Sequence, residues 1–160
     1  MRSGKPVIKI CLLFLTLAGA GIIASKVWAV VNITNTMGLA FGSFAAGTGG
    51  TVTISPAGAR SRTGGVLLVT STFNAASFNV TRVTGSPNQT YTITLPANGT
   101  VTITSGANTM PVNNFVSNPS GSGRLMGGIQ VLTVGATLTV AAGKPPGNYS
   151  GTFSVTAVFP

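Results

Sequence analysis

The chain of 160 residues contains no aspartate, no glutamate and no histidine, and it has a single cysteine. Each absence excludes a kind of chemistry. General acid–base catalysis ordinarily draws on His, Asp, Glu, Cys, Lys or Tyr, and the first three of those are missing outright. Calcium and magnesium sites need carboxylate oxygens, and zinc sites need thiolate or imidazole, so neither a metal nor a cofactor is expected. No side-chain salt bridge can form without a carboxylate, which leaves packing to hold the fold. Aromatic residues make up only 7% of the chain, with no girdle pattern of the kind that marks a membrane β-barrel. The sequence therefore reads as non-enzymatic.

What charge there is has one sign, a formal net +9. Arg2, Lys5 and Lys9 precede a largely apolar stretch from Ile10 to Ala24, and Val27-Trp28-Ala29 follows with residues acceptable before a cut. This is the three-part pattern of a secretory signal peptide, and the cleavage is placed after Ala29. The apolar stretch falls short of the roughly 18–20 residues that a membrane-spanning helix needs. Cys11 lies inside it and should leave with it. The domain expectation is thus a signal peptide at 1–29 and one β-domain at 30–160, secreted to the periplasm or cell surface of a bacterium.

Lys26 lies just before the cut, and Arg60, Arg62, Arg82, Arg124 and Lys144 carry the remaining charge. So few cations spread so widely make a thin field rather than the dense stripe of a nucleic-acid binder, so no nucleic-acid partner is expected. Contact with an anionic envelope surface is the weaker alternative. Arg60 and Arg62 stand two apart, would share a face on a strand, and are the candidate anion contact. Lys144 lies in Ala-Gly-Lys-Pro-Pro-Gly, which reads as an exposed turn. Tyr91 and Tyr149 lie in strand-like runs and read as packing residues. The glycine-rich Gly47–Gly50 and Gly121–Arg124 stretches lack the Lys-Ser/Thr and helix that give phosphate loops their meaning, and read as loop tips.

The rest is β throughout. Short runs of Thr, Val, Ile and Phe alternate with Gly, Asn, Pro and Ser, and no window has a helical period. Strands are expected at Val31–Thr36, Leu39–Phe44, Thr51–Ser55, Val66–Thr72, Ser77–Val83, Met110–Val116, Ile129–Val134, Thr137–Ala141 and Tyr149–Phe159. Tyr91–Leu95 and Thr100–Thr104, joined by Pro96-Ala-Asn-Gly99, read as an antiparallel hairpin with one threonine-lined face. Gly135 reads as a bulge or bend between its flanking runs. The fold class is all-β, a single antiparallel β-sandwich of immunoglobulin-like or pilin-like type.

The two ends alternate most regularly. Phe153, Val155, Ala157 and Phe159 alternate with polar or smaller residues near the C-terminus, after Gly147. Val31, Ile33, Met37, Leu39 and Phe41 alternate near the other end, with Asn35 out of phase. These ends resemble the terminal strands of chaperone–usher pilins, in which a subunit's N-terminal strand completes its neighbour by β-augmentation. That resemblance implies, as an alternative, a subunit assembled through residues 30–41 with copies of itself or other surface subunits and a periplasmic chaperone as partners.

A broader resemblance rests on Leu39-Ala-Phe-Gly-Ser-Phe44, Gly50-Thr-Val-Thr-Ile-Ser-Pro56, Tyr91-Thr-Ile-Thr-Leu-Pro96, Thr133–Val140 and Pro146–Thr156. In these the chain resembles the bacterial exported proteins grouped as domain of unknown function 4402. Ala40 stands where that family often has aspartate, and Phe159-Pro160 replaces its usual ending. The resemblance implies a secreted β-sandwich and supplies no activity. The function expected is a periplasmic or cell-surface β-sandwich with a structural or adhesive role, with the pilus-type subunit and a small-ligand or anionic-envelope binding module as alternatives.

Overall fold

Threonine, valine and isoleucine carry two heavy atoms on Cβ, which favours the extended backbone and a pleated, half-buried surface. Several of the strands that result bury alternate side chains. A computed structural model describes residues 31–82 and 88–159, all as strands, turns and irregular segments without a helix. The signal-peptide stretch, Cys11, residue 30 and the end of the expected strand at Val83 lie outside the described residues.

Among the described residues twelve strands form: β1 (Val31–Met37), β2 (Phe44–Ala45), β3 (Gly50–Ile54), β4 (Arg60–Gly64), β5 (Leu67–Leu68), β6 (Ala76–Arg82), β7 (Thr90–Thr94), β8 (Val101–Ser105), β9 (Asn108–Asn118), β10 (Ser122–Arg124), β11 (Ile129–Val140) and β12 (Thr156–Val158). The pairing is antiparallel throughout. A seven-stranded sheet is organised around β11. Along one edge of β11, residues Ile129–Val134 pair with β6, and Ala136–Val140 pair with β3. The opposite edge pairs with β9, which pairs onward with β8. Strand β1 lies beyond β6, and β4 lies beyond β3. A smaller sheet, β10-β7-β12, faces part of this one, and β2 with β5 makes a two-stranded ribbon.

Gly135 sits where β11 changes partner from β6 to β3. A Cβ there would collide with the carbonyl oxygen of Ile54 and the backbone of Ser55 and Pro56. Glycine is required for the close approach of two backbones. The ladder to β9 shifts register between Gly135 and Thr137. The expected irregularity is therefore present, but the strand runs through it, so two expected strands are one.

The buried apolar residues form two clusters. One gathers Val52, Ile54, Met110, Val112 and Leu138, and the other Val80, Tyr91, Ile93, Leu125 and Leu132. Phe115 and Phe153 pack against both. The Phe153 ring stands edge-on to Phe78 at 6.3 Å and tilted against Phe115 at 5.1 Å.

The expected hairpin between Tyr91 and Thr104 does not form. Strand β7 pairs with β10 and β12, and β8 pairs with β9 in the other sheet. Residues Leu95–Thr100 are an arch that carries the chain from one layer to the other. Both arrangements bury the same alternate residues, so periodicity could not separate them. The arch contains a turn at Asn98-Gly99, closed by Thr100 donating to the Ala97 carbonyl, and side chains tie it to β9. Asn98 Oδ1 accepts from the Asn114 backbone amide at 2.8 Å, and Asn113 Oδ1 accepts from the Gly99 amide at 2.8 Å. Asn114 has φ of 51°, the left-handed conformation that asparagine tolerates better than most residues.

Candidate functional site

Antiparallel pairing consumes the hydrogen-bonding groups of alternate residues on each edge of a strand, and those of the intervening residues face the other way. Three expected strands turn out to be only partly paired. Within Leu39–Phe44, Ala40 alone exchanges backbone bonds with Asn74, at 2.9 and 3.1 Å, and β2 pairs only Phe44 and Ala45 with β5. Within Val66–Thr72, only Leu67 and Leu68 are strand. Within Tyr149–Phe159, Ser150 exchanges bonds with Thr104 at 2.8 and 3.0 Å, and pairing resumes only at β12.

The two underpaired segments at 38–46 and 144–153 are the walls of an open groove of about 910 Å³. Its floor is the inner face of the large sheet, made by Val101, Ile103, Met110, Val112 and Leu138. Phe115, Phe78 and Phe153 also line it, with the Phe153 ring packed on both of the others. The second wall begins at Lys144. Since Ala40 points its N–H and C=O at Asn74, Leu39 and Phe41 present theirs the opposite way. The same reasoning applied to Ser150 leaves Tyr149 and Gly151 facing away from β8. Among the described residues, no backbone hydrogen bond satisfies Leu39, Phe41, Tyr149 or Gly151. The groove has an apolar floor and two free strand edges.

The residues singled out at the ends divide between the sandwich and this groove. Val31 and Ile33 are half-buried on β1, which pairs with β6 from Val31 to Met37. The register shifts between Asn35 and Met37, and Met37 is 51% exposed. Leu39, Phe41, Gly147 and Phe153 line the groove. Val155, Ala157 and Phe159 are half-buried against the second cluster, with Phe159 edge-on to Tyr91 at 6.4 Å. The alternation read at the C-terminus is the observed one, although β12 covers only its last part.

Arg60 and Arg62 lie on β4, a strand absent from the sequence reading because its Arg-Ser-Arg-Thr-Gly run has no apolar period. Their donors go to different backbone carbonyls. Arg60 donates to Ser43 at 2.5 Å and Val69 at 3.1 Å and lies 5.4 Å from the Phe73 ring centre. Burial pushes its pKa below the usual arginine value. Arg62 donates to Gly64 at 3.2 Å. Arg60 thus fastens the groove wall at Ser43 to the 67–73 segment behind it.

Tyr91 and Tyr149 are equally committed. Tyr91 is fully buried and donates to Gln130 Oε1 at 3.0 Å, and burial raises its pKa above the usual phenol value. Gly123 lies opposite it on β10, where a Cβ would run into the Tyr91 ring. Tyr149 donates to the Pro145 carbonyl at 2.9 Å. Among the described residues no His, Cys, Asp or Glu cluster could hold a metal, and no helix is long and apolar enough to cross a membrane. The groove was missed in the sequence because its walls read as ordinary strands. Gly42 at φ 71° and the Pro145-Pro146-Gly147 break were the signals that pairing would lapse there.

A family model described as Domain of unknown function (DUF4402) matches residues 31–159. No curated protein and no solved structure matches the chain.

Proposed function

The chain belongs to the family described as domain of unknown function DUF4402, and from that premise, which assigns no activity, we propose an exported, non-enzymatic β-sandwich of the periplasm or cell surface with a structural or adhesive role. The observation that carries the reading is the character of the groove, which offers apolar side chains and backbone edges. Its two ionisable side chains are Lys144, on a rim, and Tyr149, whose hydroxyl is spent on Pro145. Such a concavity suits holding a chain better than transforming a substrate. The basic-then-apolar start of the sequence supports export, and an exterior rich in threonine, serine and asparagine suits life outside the cytoplasm without disulfides.

Assembly through residues 30–41 would first have to strip β1 from β6, exposing Val80 and Phe78 on the new edge. That cost weighs against the pilus-type alternative in its N-terminal form. Binding to an anionic surface through Arg60 and Arg62 would have to compete with the carbonyls that already hold them.

Cell fractionation joined to intact-mass measurement tests the reading. We expect the protein in the periplasm or at the surface, lighter by residues 1–29. Full-length protein confined to the cytoplasm would contradict it.

A further inference from the structure

A sandwich completes itself by pairing, and this one stops short between two facing edges. We propose that the groove is an acceptor for one extended segment of a different protein, with apolar side chains at alternate positions and a carboxylate at the end that meets Lys144. This deepens the structural reading above by naming the partner class of the same module.

Three observations argue for a strand rather than a compact ligand. Leu39 and Phe41 on one wall, and Tyr149 and Gly151 on the other, line the groove with backbone groups that have no backbone partner among the described residues. An inserted strand would satisfy both rows together, which is β-augmentation on two sides. The wall from Leu39 to Ala46 is eight residues of chain, longer than a compact ligand would need, with its one positive-φ break at Gly42. The floor beneath is the inner face of β8, β9 and β11, where every second inserted side chain would find Val101, Met110, Val112 or Leu138.

Charge and topology argue that the strand is foreign. A second copy would bring only cationic side chains and no carboxylate side chain to set against Lys144. Its two alternating ends are also in use, β1 on β6 and β12 on β7. Lys144 itself makes no hydrogen bond among the described residues and stands where the second wall begins, with Phe153 where it ends. That wall therefore runs from a cation to an aromatic ring, and a strand with one acidic terminus matches that polarity.

The test uses the purified protein and three capped nonapeptides of alternating valine and serine. One carries glutamate at both ends, one lysine at both ends, and one is the glutamate peptide with two inner serines replaced by proline. Fluorescence anisotropy should show saturable binding of the glutamate peptide. The lysine twin should bind about three- to fivefold more weakly, the effect of one exposed charge pair. The proline version should not bind, because it lacks the N–H groups the walls need. In Lys144→Glu, a change at a half-buried position on the groove rim, the preference between the charged peptides should reverse. Amide hydrogen exchange at Leu39, Phe41, Tyr149 and Gly151 should slow on binding, which a ligand resting on the floor alone would not cause. No saturable binding, binding that leaves those amides unchanged, or an unchanged preference in Lys144→Glu would overturn the proposal. So would a free protein that is already oligomeric with those amides protected, since the occupant would then be a second copy. None of these outcomes bears on export, which fractionation decides separately.

Discussion

At the scale of single residues, the polar side chains that matter are those joined to the backbone or to one another inside the fold. Arg60 and Arg62 share a strand and a charge, yet only Arg60 ties two separate segments together. Arg60→Ala should destabilise the protein by about 1–3 kcal/mol, the range for hydrogen bonds to a charged group and for acceptors left behind. Arg62→Ala should change it by no more than about 0.5 kcal/mol, as an exposed surface substitution does. Urea unfolding of the two variants compares them directly, and equal losses would contradict the assignment. Tyr91 adds a pH-dependent term of definite sign. Its folded pKa is raised by burial, so the folded state holds the phenol proton more tightly than the unfolded chain. The stabilisation is fully present below the ordinary tyrosine pKa of about 10 and is lost as pH climbs through the folded value. We expect the melting temperature to begin falling above about pH 10. Tyr91→Phe should weaken that fall, at a cost of about 0.5–1.5 kcal/mol at neutral pH for the lost bond to Gln130.

At the scale of elements, the hinge of the architecture is β11 at Gly135. Gly135→Ala should cost about 1–3 kcal/mol, the usual penalty for adding volume to a packed site, because the new methyl meets backbone that has no side-chain freedom to yield. A thermal or urea unfolding curve for this variant checks it, and an unchanged midpoint would mean that β3 and β11 do not approach as described. The element scale is also where reading the sequence succeeded and failed for physical reasons. Alternation located β1, β3, β6, β7, β8, β9 and β11 to within a residue or two at most of their ends, because burial on one face writes a period of two into the residues. Partner choice left no such mark. Tyr91–Leu95 and Thr100–Thr104 have the alternation of a hairpin, yet they feed different sheets, and what sends them apart is a set of asparagine bonds from Asn98, Asn113 and Asn114. Strands β4 and β10 were not legible, being short and polar or glycine-rich. The groove walls were legible as extended segments but not as unpaired ones, since an unpaired edge uses the same apolar alternation as a paired edge.

At the scale of the whole molecule, the one-signed charge becomes a property of stability. No side chain in the sequence is a carboxylate or an imidazole. Stability varies with pH only where folded and unfolded states bind protons differently. The melting temperature should therefore stay nearly level from about pH 4 to 8, in contrast with proteins whose buried or paired carboxylates fail in acid. A steep acid transition in that range, measured by circular dichroism, would contradict the account. The absence of ion pairs should cost little, since surface pairs are worth about 0–1 kcal/mol each. The stabilisation that replaces them comes from side chains such as Ile54, Leu132 and Leu138, which are fully buried and contribute roughly 1.5–3 kcal/mol apiece.

The central claim is that this sandwich is well packed around β11 and open along one groove whose walls keep free backbone edges. Residue-resolved amide hydrogen exchange of the free protein at neutral pH tests it most directly. The account expects the slowest amides in β3, β6, β9 and β11, and exchange faster by orders of magnitude at Leu39, Phe41, Tyr149 and Gly151, whose amides lack a partner. Protection of those four amides equal to that of β11 would show the groove already filled or closed, and would contradict it.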